Sequence, residues 1–138
     1  MVPNFVPLYG LVIVLFSLAY FFLASITFLF VRLEIPEVLW LFRGLFNAYF
    51  WMVGIAGLIA TAALALSNHG ALAAAMLLLA TTAITAREWT IQRIDAQHSA
   101  FQSGDSGAIR RLRLIHWSVM LANVLIIAAV AESVPYIV

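Results

Sequence analysis

From Leu8 to Val31 the chain carries no charged side chain, and at about 1.5 Å of rise per residue a helix over that stretch exceeds the roughly 30 Å of bilayer hydrocarbon. Three further apolar runs follow. The pattern predicts an all-α fold: an integral membrane four-helix bundle, up-down-up-down, with spans at about 8–31, 44–66, 71–90 and 112–131 in a single domain over 1–138. A chain that is 65% hydrophobic and 9% charged has too little polar surface to cover a soluble core of its size.

Every basic side chain is an arginine, and all fall in two places. Arg32 and Arg43 follow the first apolar run. Arg87, Arg93, Arg110, Arg111 and Arg113 flank the gap between the third and fourth. In a chain that crosses four times, these gaps share one membrane face. The positive-inside rule then puts the loop between spans 3 and 4 in the cytoplasm, and both termini on the other side of a cytoplasmic (inner) membrane. The basic face favours anionic headgroups, so membrane lipids are expected partners and nucleic acid is not. Cysteine is absent, which removes disulfides, thiolate catalysis and sulfur-ligated metal. A cleavable signal peptide is not expected, because residues 1–10 lack a basic n-region.

Pro3 and Pro7 are expected to precede helix 1, and Arg32 and Glu34 to stop it. Pro36 marks a new helix start, an interfacial turn over 37–43 that continues into helix 2 from Gly44. Ser67, Asn68, His69 and Gly70 form a tight polar turn, which makes helices 2 and 3 neighbours. Helix 3 begins at Ala71 and is expected to project into the cytoplasm to about His98, since no Gly or Pro interrupts residues 87–98. Residues 103–107 make a flexible loop from which Asp105 or Ser106 caps helix 4. Pro135 ends the helical pattern. Neither an internal repeat nor a broken helix of the transporter kind is evident.

Helices in lipid associate through close backbone approach and a few hydrogen bonds. Contacts are therefore expected at Gly54, Gly57, Ala60 and Ala63 on helix 2, Ala73, Ala74, Ala75, Ala80 and Ala83 on helix 3, and Ala128, Ala129 and Ala131 on helix 4. Helix 1, rich in phenylalanine, is expected to pack more loosely or to face lipid or another subunit.

Intramembrane polar groups are the functional candidates, because each costs free energy unless paired. His116, Met120 and Asn123 share one stripe of helix 4. An antiparallel register brings His116 within reach of Glu88 or Asp95, and two readings stay open. A carboxylate would orient the imidazole as a general base, or the histidine would lock two helices by bonding a carbonyl or carboxylate. No metal site is expected. His69 lies on the membrane face opposite His98 and His116, which differ in height by about 6 Å. Arg110, Arg111 and Arg113, with Arg93 opposite, suit lipid headgroups or an anionic substrate. Asn47, Tyr49, Phe50 and Trp51 would either line a pocket for a flat apolar ligand or pack near the interface. No acidic or histidine residue sits at mid-depth to support a proton relay.

The stretch from Arg111 to His116 (RLRLIH), followed by Ser118 and Asn123, resembles the last helix of the anthrone oxygenase-like family of small four-helix membrane proteins and its uncharacterised relatives. Residues 46–50 resemble that family's helix 2 opening, and residues 93–96 the polar tail of its helix 3. Val119 stands where the family carries serine. The resemblance implies a cofactor-free oxygenase acting on a flat, anthrone-like substrate, with O2 as co-substrate, His116 as base and Asn123 as its polar helper. Two other classes compete with it. One is a helix-packing accessory or structural subunit of a larger membrane complex, partnered by other membrane proteins. The other is a lipid- or quinone-binding protein whose only bound group would be that lipid or quinone.

Overall fold

The computed structural model describes residues 5–137, so Pro3 lies outside the described residues. It is all-α, with helices α1 (Phe5–Leu29), α2 (Pro36–Leu66), α3 (Gly70–Gln102) and α4 (Ala108–Ser133) and a closing 3-10 turn, Val134–Tyr136. No strand occurs among the described residues. Each of the four helices is long and apolar enough to cross a membrane.

The boundaries follow local chemistry. Pro7 falls inside the first turn of α1 rather than ahead of it, where the backbone N–H has no helical partner to lose. Pro36 opens α2, and the residue before it, Ile35, is extended (φ −77°, ψ 123°) as a following proline requires. α2 ends in a Schellman turn. Asn68 takes a left-handed conformation (φ 62°), His69 N–H donates to the Leu64 carbonyl and Asn68 N–H to that of Ala65. α3 ends the same way at Gly104 (φ 95°), with Asp105 N–H donating to the Ala100 carbonyl and Gly104 N–H to that of Phe101. At 33 residues, α3 is about 50 Å long, well beyond the hydrocarbon, and its extension reaches Gln102 rather than His98. The expected side-chain cap on α4 is not formed. Gly107 occupies the N-cap, and Asp105 instead accepts the Gly107 N–H at 2.9 Å.

α2 carries the most extensive packing, against α1 on one side and α3 on the other, while α4 lies more sparsely against α1 and α3. Small residues make the α2–α3 contact close. A Cβ on Gly57 would stand 2.9 Å from the Ala80 Cβ, and one on Gly54 would stand 3.0 Å from Ile84. Gly10 does the same for α1, with its missing Cβ 3.1 Å from Ala63.

Two packing expectations are corrected. Ala74 and Ala75 of α3 are exposed, as are Ala128, Ala129 and Ala131 of α4, since the buried stripes run through Ala73, Met76 and Ala80 on α3 and through Leu112, His116, Met120, Asn123 and Val130 on α4. Helix 1 is not loosely held. Leu11, Val14, Leu18 and Phe21 are fully buried, and only its outer face shows Tyr9, Phe16 and Leu23.

Candidate functional site

The central polar groups form a brace across three helices. Tyr49 of α2 donates its hydroxyl to Asn123 Oδ1 of α4 at 2.9 Å, and Asn123 Nδ2 donates to the Leu18 carbonyl of α1 at 3.1 Å. Asn123 is wholly buried. The Tyr49 ring is itself held by stacking on Phe21, with ring centroids 3.9 Å apart.

His116, two turns along the same stripe, is also wholly buried but makes no such bond. Its ring stands nearly perpendicular to Phe42 (centroids 5.2 Å) and Phe46 (5.8 Å), and neither nitrogen has a hydrogen-bond partner. The expected carboxylate is elsewhere. Asp95 takes both oxygens to Arg43 of α2, at 2.7 and 3.2 Å, and Glu88 is exposed. The register sets height along the axis but not rotation about it, and α3 turns Thr90, Ile91 and Ile94 inward instead.

The arginine rim divides into distinct roles. Arg113 is turned back onto the C-terminal end of α1, donating to the Phe28 and Val31 carbonyls. The Phe28 carbonyl is among the groups that a helix end leaves without intrahelical partners, Val31 lies just past that end, and a cation there also meets the negative pole of the helix. That separates Arg113 from the outward-turned Arg110 and Arg111. Arg111 pairs with Asp105 and donates to Gln97 Oε1 at 2.6 Å, while Arg110 is exposed. Arg93 lies over the Trp89 ring, 4.4 Å from its centroid. The N–H of Gly107, and then Arg111, hold the Asp105 carboxyl below its ordinary value.

The aromatic group on α2 does not act as a unit. Successive helical residues fan out by about 100°, so Tyr49 and Phe50 point toward α4 while Asn47 and the half-exposed Trp51 lie on another face. There they receive Arg87, whose Nε donates to Asn47 Oδ1 at 2.8 Å and whose guanidinium stands 5.0 Å from the Trp51 ring centre. Arg87 was missed as a partner because, read alone, it is one more interfacial charge.

Tyr49 and Phe50 instead form the floor of a crevice of about 240 Å³ between α3 and α4, walled by Ala83, Ala86, Val119 and Ala122. A second hollow of about 270 Å³ continues from it, sharing Trp89, Ser118 and Val119 and ending at Arg93, Gln97 and Arg111. Small residues on facing helices were the available signal for this gap, but sequence does not distinguish a gap from a contact. His116 and Asn123 line neither hollow. No cluster of three or more potential metal ligands occurs among the described residues. No protein-family model, curated protein or solved structure matches this chain.

Proposed function

We propose that the chain is a four-span integral membrane protein of the cytoplasmic membrane, acting as a helix-packing structural subunit of a larger membrane assembly. In this reading the bundle runs up-down-up-down, the arginine rim faces the cytoplasm and both ends face away from it. The brace carries the reading: Tyr49 and Asn123, two buried polar side chains, are spent on joining α1, α2 and α4. Buried groups of this kind specify a packing arrangement. The unmatched outer face of α1, with Tyr9, Phe16 and Leu23, and the extension of α3 beyond the hydrocarbon suit contact with neighbouring subunits.

The oxygenase-like alternative needs a substrate cavity at His116. The crevice stops at Tyr49, one hydrogen bond short of Asn123, which favours the structural reading.

Native purification in a mild detergent, followed by mass measurement of the intact particle, tests the proposal. A stoichiometric complex larger than the 15.2 kDa chain is expected. A lone chain that consumes O2 with an anthrone and loses turnover in His116→Ala would overturn it.

A further inference from the structure

Along α3 the apolar crevice extends from Leu79 to Thr90. At 1.5 Å per residue this is roughly 16 Å, about half the hydrocarbon thickness, which is the depth that one acyl chain occupies in its own leaflet. Its polar polarity is one-sided. The hollow that continues it brings Arg93 of α3 and Arg111 of α4 to the end nearest the basic rim, with Gln97 between them. Arg93 is held over Trp89, and Trp89 also lines both hollows. Arg111 is oriented by Gln97 and Asp105. Asp105 offsets part of the Arg111 charge, and the Gln97 amide nitrogen adds a neutral donor. Between the helices, therefore, lie an acyl-length apolar slot and two guanidinium groups at headgroup height.

We propose that the crevice between α3 and α4 binds one anionic phospholipid of the cytoplasmic leaflet, its phosphate held by Arg93 and Arg111 and one acyl chain lying along Ala83, Ala86, Val119 and Ala122. The charges of Arg93 and Arg111 select an anionic headgroup over a zwitterionic one, and guanidinium forks match phosphate oxygens. The inference rests on the membrane reading above.

Trp89, at the junction of the two hollows, supplies the readout. Full-length protein with Trp40, Trp51 and Trp117 replaced by phenylalanine is reconstituted with phosphatidylglycerol or phosphatidylcholine carrying brominated acyl chains, and Trp89 quenching is followed against lipid fraction. Phosphatidylglycerol is expected to quench at the lower fraction. Arg93→Gln and Arg111→Gln are each expected to weaken that preference about five-fold, the equivalent of ~1 kcal/mol per basic residue. Arg110→Gln, which removes the same charge outside the hollow, changes it by less than about two-fold. Ala122→Phe, or Ala86→Phe on the facing wall should the first not fold, blocks the slot and lowers quenching by both lipids.

Equal quenching by the two lipids, or an Arg110→Gln effect as large as that of Arg93→Gln, would overturn the proposal. So would displacement by a short-chain quinone but not by a short-chain phosphatidylglycerol. An alkaline carbonate wash separates the two levels: release of the protein refutes the membrane reading itself, whereas retention without lipid preference refutes only the site.

Discussion

Removing either end of the Tyr49–Asn123 bond tests whether the brace holds the bundle together. Tyr49→Phe keeps the ring stacked on Phe21 and deletes only the hydroxyl, losing one bond and stranding the buried Asn123 oxygen. Asn123→Leu loses two bonds and strands the Tyr49 hydroxyl, which belongs to a residue only 5% exposed. Interhelical bonds in a membrane interior average ~0.6 kcal/mol, and a stranded buried polar group costs about 1–3 kcal/mol. Tyr49→Phe and Asn123→Leu should therefore each cost about 2–4 kcal/mol, the second slightly more. In the double variant nothing is left stranded, so its cost should fall short of the sum by at least about 2 kcal/mol. Unfolding titrated with a denaturing detergent against mixed micelles, followed by tryptophan fluorescence, measures the cycle. Additivity to within about 0.3–0.5 kcal/mol, the behaviour of independent sites, would refute the bond as a stabilising element.

The α2–α3 contact gives an opposed pair of glycine substitutions. Gly57→Leu drives a side chain into Ala80 and should destabilise by about 1–3 kcal/mol, while Gly44→Ala meets nothing within 4 Å and should stabilise by up to about 1 kcal/mol in the same unfolding assay. Arg113→Ala leaves the Phe28 and Val31 carbonyls without their donors, and hydrogen exchange over residues 29–35 should accelerate several-fold while α3 stays protected. The loop between α3 and α4 should loosen in acid. The Asp105 carboxyl is held below its ordinary value, so its contribution is complete above the unfolded carboxyl's pKa of about 3.9 and is lost as pH falls through the lower folded value. Exchange at residues 103–111 should rise over that interval, and Asp105→Asn should abolish the pH step.

What sequence made legible is what depends on position along the chain. The charge-free runs placed four helices, Pro36 placed the start of α2 and Gly104 the turn after α3, because span length, proline and left-handed glycine act locally. What it hid depends on rotation about each helix axis. His116 and Asn123 were placed on one buried stripe, yet their partners differ: Asn123 meets Tyr49 and Leu18, whereas His116 meets phenylalanine rings and Asp95 turns to Arg43. The alanines of α4 matched a packing motif but face outward, since any side of an apolar helix is permitted toward lipid. Arg113 carried the same charge as Arg110 and Arg111, and only the position of the α1 end shows why it folds inward.

Because the chain contains no cysteine, single thiols report topology without background. Ser103→Cys, between α3 and α4, and Ser67→Cys, between α2 and α3, labelled in intact cells with a membrane-impermeant maleimide, test the membrane-spanning bundle most directly. The expected result is labelling of Ser67→Cys from outside and protection of Ser103→Cys until the cells are opened. Equal labelling of both thiols from outside would contradict it.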